Sequence, residues 1–188
     1  MLTERLRAPM RCPSAQCVGL AAARDFRVCF SKHSKKDGSG KATLVKAAGQ
    51  EIVSYGVLFE IALSEREALD KAEGNGYARD DAFFVVHLAD AIALRATTYL
   101  ALPAQCDERL VPYDWYHALI LAGALQHQLP NSYVETLRRV TVQCDPEPQR
   151  CERQEALRVL QCVAPRTIHS SPLEPSDNQN GRIPSRRS

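Results

Sequence analysis

The residue whose type and setting best suit chemistry is Glu73. It lies in residues 52–76, IVSYGVLFEIALSEREALDKAEGNG, which read as a strand turning directly into a short helix. Val53, Tyr55, Val57, Phe59 and Ile61 recur every second residue and so share one strand face. Ser64 and Glu67 have capping-box spacing for the next helix. Leu69, Ala72 and Glu73 then stand at i, i+3 and i+4, which puts the acid on the helix's apolar face. Burial and the negative end of the helix dipole both disfavour the charged form, so its pKa should exceed the ordinary value of about 4.3. A carboxylate raised in this way can serve as a base near neutral pH. Gly74 and Gly76 end the helix and leave room beside the acid. The bland alternative is a solvated glutamate at a helix end.

Other chemistry-bearing residues form weaker patterns. The loop over residues 35–41, KKDGSGK, places its glycines too close together for a Walker A phosphate loop, and Ala42 stands where Ser or Thr is needed. It reads as a glycine turn between two strands with solvated lysines. His33, His87, His117, His127 and His169 show no mutual ligand spacing. His87 alternates within a strand, and His117 and His127 share a helix. No Ser or Cys has a nucleophile-elbow context. The seven cysteines include no C-x-x-C pair, so a metal site is not expected, and most are expected to be reduced.

The elements that must position Glu73 follow from pattern and breakers. TERLRA near the start forms a turn of helix before Pro9 and Pro13. Residues 18–30 alternate apolar runs with charge, with FRVCFS as a strand. Residues 42–46 and 52–61 form two more strands around a turn at Ala48, Gly49 and Gln50. Residues 82–88 and 91–100 pair around Ala89 and Asp90, a reading supported by their Phe, Val, Thr and Tyr content. Residues 103–112 form a loop. Asp114 is expected to cap a helix that stops before Pro130. Ser132 and Glu135 are expected to box-cap another, and residues 147–161 form a third, charged one. Strands first and helices late indicate an α+β domain, its sheet largely antiparallel and curled toward a barrel.

With 188 residues, 45% apolar and 24% charged, the chain fits one domain with an excess at one end. The division expected is a domain at 1–163 and a tail at 164–188. The tail's Ser, Pro, Asn and Arg content is read as disordered. A net charge of +2, without aromatics among the basic residues Lys35, Lys36 and Lys41, argues against nucleic acid. No apolar run suits a signal peptide or a membrane span, so the cytoplasm is expected.

Four ordered segments, HSKKDGSGKA (33–42), VSYGVLFEI (53–61), LDKAEG (69–74) and PYDWYHALILAGALQHQLPNSY (112–133), resemble the γ-glutamylcyclotransferase family. The resemblance runs from the start to about residue 160. It implies a small mixed, mostly antiparallel β-barrel flanked by helices. It also implies release of an amine from a γ-glutamyl amide as the glutamyl part closes to 5-oxoproline, an acyltransferase- or lyase-type cyclisation of the kind met in glutathione metabolism. The family's acid/base falls on Glu73, and a tyrosine that contacts the glutamyl moiety falls on Tyr133. No cofactor and no metal are implied, and the partner is a small-molecule γ-glutamyl substrate. Tyr77 is left out of the expected site because the stretch after Gly76 departs from the family pattern.

The chain also departs at its start. Family members open with a strand ending in Y-G-S-N, whose amides hold the substrate, and residues 1–6 correspond to the segment just after that loop. The expectation is therefore a domain lacking its first strand, caused by an upstream start, with activity of this chain in question. The alternative is an inactive truncated relative that binds a ligand without turning it over. Which amine is released and the oligomeric state are left open.

Overall fold

The computed structural model describes residues 2–47 and 52–163. Met1, the expected turn at Ala48–Gln50 and the expected tail at 164–188 lie outside the described residues. Six strands, β1 (Gln16–Arg24), β2 (Phe26–His33), β3 (Gly40–Lys46), β4 (Val53–Glu60), β5 (Tyr77–His87) and β6 (Ala93–Ala101), precede most of the helices. The helices are α1 (Thr3–Leu6), α2 (Arg66–Glu73), α3 (Asp114–Gln126), α4 (Asn131–Arg138) and α5 (Cys151–Val163), with 3-10 turns at Leu63–Glu65 and Pro103–Gln105. The architecture is the expected α+β, an antiparallel sheet flanked by helices.

β1 is central to a four-stranded sheet ordered β4-β1-β5-β6, and β2 and β3 form a separate two-stranded ribbon. All these ladders are antiparallel. β1 pairs with β4 along its length and, on its other side, with β5 at Ala21 and Ala22, and its Ala21, Ala22 and Ala23 are all buried. Sequence pattern alone makes residues 18–25 less than a strand, because Gly and Ala are poor strand formers. Burial from both sides overrides that propensity.

The ribbon bridges the two edges of the larger sheet. At the β4 edge the Ser54 hydroxyl donates to the Phe26 carbonyl at 2.9 Å. At the β6 edge the Ala101 N–H donates to the Thr43 hydroxyl at 3.0 Å. Phe26 and Phe83 meet edge-to-face inside, 4.9 Å apart. The expected curling toward a barrel thus takes the form of a sheet closed by a ribbon.

β4 carries the alternation expected of it. Tyr55 and Val57 pack on Ala124, Leu129, Val134 and Leu137 of the α3–α4 region. Phe59 and Ile61, on the same face, pack with Leu69 against Leu6, Cys12 and Ala15. Trp115 and Leu119 of α3 join Leu2 and Ala156 in a third cluster. The indole N–H donates to Asp145 at 2.9 Å, and Arg150 binds the same carboxylate at 2.8 Å. Burial raises and these donors lower the Asp145 pKa, for a result of about 2.

The three expected caps are not used. α2 starts at Arg66 after a 3-10 turn, without a side-chain cap. Glu65 instead accepts from the Ser14 N–H at 3.0 Å and its hydroxyl at 2.5 Å. Tyr113 is the N-cap of α3, so Asp114 lies within the helix and accepts from the Trp115 N–H. Pro130 precedes α4, and its carbonyl takes the amides of Tyr133 and Val134. Proline's fixed φ presets that turn without a Ser132 cap. α5 begins at Cys151, four residues later than expected, because Asp145 holds the Glu147 amide and Arg150 in a preceding turn.

The loop before β3 also differs from expectation in one residue. Gly38 takes a positive φ of 73°, as a tight turn requires. Lys41, however, is not solvated. Its ammonium bonds Asp37 at 2.7 Å and Ser39 at 2.8 Å, and it lies 4.6 Å from the Tyr116 ring centre and 4.9 Å from that of Trp115. Among the described residues no helix is long and apolar enough to cross a membrane.

Candidate active site

Leu69 anchors α2 in the Leu6–Cys12–Ala15 cluster, and this fixes where the last turn delivers Glu73. Gly74 then ends the helix at φ 78°, its N–H returning to the Asp70 carbonyl. A side chain at Gly74 would meet nothing within 4 Å, so the corner beside the acid is open. The Glu73 side chain is 20% exposed. The expected placement on the buried face of α2 therefore holds.

Three cations share this corner. Arg11 Nη1 lies 3.9 Å from Glu73 Oε1, an ion-pair distance too long for a hydrogen bond. Arg5 and Lys32 add their fields from α1 and β2. Burial nevertheless dominates and raises the Glu73 pKa, with Arg11, Arg5 and Lys32 opposing in that order. The same burial lowers the pKa of Arg5 and of Lys32. Lys32 crosses Gly76 so closely that a methyl there would fall 2.4 Å from its Cε, and its ammonium sits 5.1 Å from the Tyr77 ring centre.

Two tyrosines complete the surroundings. The Tyr77 hydroxyl donates to the Ala42 carbonyl at 2.8 Å, and the Ala42 N–H donates to the Tyr116 hydroxyl at 3.1 Å. Burial is the main reason both phenols titrate above their ordinary range, and Glu73's charge adds to it. They stay neutral and polar around the acid.

Tyr133 lies elsewhere. Its ring meets Tyr55 edge-to-face at 5.4 Å within the α3–α4 cluster. Burial raises its pKa, against the Ser54 hydroxyl and the Tyr55 amide. Glu73's cluster begins at Phe59, four residues and roughly 13 Å further along β4. The two expected site residues are served by one strand face but do not share a cluster. Two cavities also stand apart from Glu73. One of about 440 Å³ is lined by residues such as Arg27, Phe30, Leu110 and Thr141. The other, about 140 Å³, lies inside the barrel by Leu44, Ser54 and Phe83.

Sequence reasoning missed Arg5, Arg11, Lys32 and Tyr116. A usable signal existed for Arg5, which falls at i+3 from Leu2 and directly before Leu6, both buried. Arg11 and Lys32 lie in loop-like and alternating contexts where pattern says nothing about a distant acid. His87 and His117 occupy structural positions: His87 bonds Asp90 at 2.9 Å and His117 bonds the Leu137 carbonyl at 2.8 Å.

An α+β barrel presenting one mostly buried acid among cations and neutral phenols defines a candidate acid/base site. A model of the AIG2-like family matches residues 53–137, the stretch holding Glu73 and Tyr133. The γ-glutamylcyclotransferases of Mus musculus and Homo sapiens are each 27% identical to this chain over 148 residues, covering 74% of the chain and 73% of the relative. A solved γ-glutamyl cyclotransferase superposes with a TM-score of 0.71 at 24% identity, over 84% of this chain and 92% of the other. YkqA from Bacillus subtilis gives 0.53 at 24% identity, over 66% of this chain and 44% of that one. The matched stretch, the curated relatives and the shared fold make this chain similar to the γ-glutamylcyclotransferases and, over residues 53–137, to the AIG2-like family.

Proposed function

We propose that this protein converts γ-glutamyl amino acids or amines to 5-oxoproline and a free amine, with Glu73 as acid/base. The observation that carries the proposal is a largely buried carboxylate with a raised pKa, at the position of the family's L-D-x-x-E-G motif. Glu73 takes a proton from the substrate's α-ammonium. The freed amine attacks the γ-carbonyl of the same molecule, a new C–N bond closes the five-membered ring, and the old amide C–N bond breaks. Glu73 returns that proton to the departing nitrogen, and the second proton, shed by the ring nitrogen as the lactam forms, leaves on the released amine as its ammonium. Atoms balance without water, cofactor or an enzyme nucleophile, and holding the substrate folded supplies much of the rate. Tyr133 contacts the glutamyl moiety in this reading, from the far end of the β4 face. Residues 1–163 carry the activity, and the unpaired state of all seven cysteines suits a reducing compartment such as the cytoplasm.

The test is 5-oxoproline release from a panel of γ-glutamyl dipeptides and γ-glutamyl amines, for the parent and for Glu73→Gln. Loss of a positioned acid/base lowers the rate by about 10²–10⁴. Turnover that survives Glu73→Gln, or release from no member of the panel, defeats the proposal. Binding of 5-oxoproline without turnover would instead assign a non-catalytic ligand-binding role.

A further inference from the structure

The geometry points to Arg11, Arg5 and Lys32 as an anchor for the α-carboxylate of the substrate, which restricts the protein to γ-glutamyl compounds whose α-carboxyl is free. The inference rests on the γ-glutamyl reading and adds the group that reading leaves unplaced.

An α-amino acid carries its ammonium and carboxylate on one carbon. A site that takes the ammonium on an acid therefore meets the carboxylate close by, where a cation suits it. Arg11, 3.9 Å from Glu73, stands at that spacing. The corner holds one carboxylate against three cations. Two further acids act on its rim, Glu155 on Arg5 and Asp37 on Lys32, but Asp37 is already held by Lys41 and Ser39. Positive charge is left over, and an incoming carboxylate neutralises it.

The cations also have donors to spare. The contact from Arg11 to Glu73 is beyond hydrogen-bond range, and Lys32 meets the Tyr77 ring rather than an oxygen. Every fully buried side-chain nitrogen and oxygen among the described residues has a partner. The unspent guanidinium and ammonium protons therefore open onto reachable space. Burial makes Arg5 and Lys32 poorly hydrated, which strengthens an ion pair formed there. A guanidinium takes a carboxylate through two parallel N–H bonds, fixing its direction as well as holding it. With its α-carboxylate so held, the substrate presents its ammonium to Glu73. The seated anion also screens the cations from Glu73, so the base strengthens when substrate binds.

The test compares one γ-glutamyl amide with its α-carboxamide counterpart, in the full chain and in Arg11→Met, Arg5→Met and Lys32→Met. The expected result is a parent preference for the free carboxylate of about 10- to 100-fold in kcat/KM, the range of charge-assisted bonds. That preference collapses in at least Arg11→Met through a rise in KM for the carboxylate substrate alone. A merely structural role would slow both substrates equally. Equal parent rates on the two substrates, or a ratio unmoved in all three variants, overturn the anchor. If the parent turns over neither substrate, the reaction has failed and the anchor is read by calorimetry with 5-oxoproline and 5-oxoprolinamide. Tighter binding of the acid, lost in Arg11→Met, sustains it. Equal binding or none overturns it.

Discussion

Lys41→Met gives the sharpest test of how the loop before β3 is held. The ammonium bonds Asp37 at 2.7 Å and Ser39 at 2.8 Å, with Asp37 only 3% and Lys41 15% exposed in their side chains. The two pKa shifts pull in opposite senses. Burial raises the Asp37 pKa, but the Lys41 bond, the Ser39 amide and the Ser34 hydroxyl outweigh it and leave it lowered, which favours the ion pair. Burial lowers that of Lys41 despite Asp37, which opposes the pair. The short contact decides for an intact pair. Methionine fills the space among the Trp115 and Tyr116 rings but strands the acid. Breaking a buried pair costs about 3–5 kcal/mol. Asp37 keeps the Ser39 N–H and hydroxyl, at 3.0 and 2.9 Å, so the lower end, about 3 kcal/mol, applies. For a domain of this size that is a fall of about 6–12 °C in Tm. The assay is urea unfolding at a series of pH values. A depressed carboxylate pKa contributes stability above the unfolded value and loses it as pH falls through the folded one. The gap between parent and variant should therefore be widest near neutrality and narrow below about pH 4. Asp37→Asn added to Lys41→Met should recover part of the loss. A gap under about 1 kcal/mol at neutral pH, the median worth of an exposed pair, or one independent of pH, would refute the reasoning.

Three further outcomes concern the acid's corner and its glycines. The acid limb of kcat/KM lies above the ordinary carboxylate range because burial raises the Glu73 pKa, and activity falls as pH drops through it. Arg11→Met moves that limb to still higher pH, and a downward move in the pH profile would contradict the electrostatics. Glu73→Gln melts no lower than the parent at pH 7, since a carboxyl whose folded pKa is raised opposes stability at pH above its unfolded value. Thermal melts beside the rate assay check that stability and activity part company. Gly76→Ala meets only the flexible end of Lys32, at 2.4 Å, so it should displace that ammonium and raise KM with little change in Tm. Gly40→Ala puts its methyl 2.0 Å from the Phe30 carbonyl, and the backbone there cannot swing away. The two strands must separate at a cost of about 3 kcal/mol or more, which denaturant unfolding of the pair of variants compares directly.

What could be read from sequence was set by how local the cause is. The β4 alternation and the i, i+3, i+4 placement of Glu73 need only their own segments, and both are seen. β1 escaped because its Gly and Ala are made a strand by distant partners, Val57 opposite Leu20 and His87 opposite Ala21. The caps failed for a related reason: Ser64 is taken up in the 3-10 turn Leu63–Glu65 that precedes α2, and Pro130 makes Ser132 redundant. At the site, the acid was legible and its cations were not. Arg5, Arg11 and Lys32 come from α1, the loop after it and β2, and only the fold brings them to Glu73.

The closure of the barrel by a ribbon has a dynamic consequence. Where β2 and β3 meet the larger sheet, side-chain bonds from Ser54, to Thr43 and from Tyr77 to the Ala42 carbonyl take the place of a continuous ladder. Segments held by fewer backbone bonds open at lower free energy than the global transition. The ribbon is therefore a separate exchange unit. In native-state hydrogen exchange its outward amides lose protection while those of β1 about Ala21 and Ala22, paired on both sides, still hold. Lys32 travels with the ribbon and Gly76 stays with the sheet, so each such opening carries one cation away from the acid and returns it.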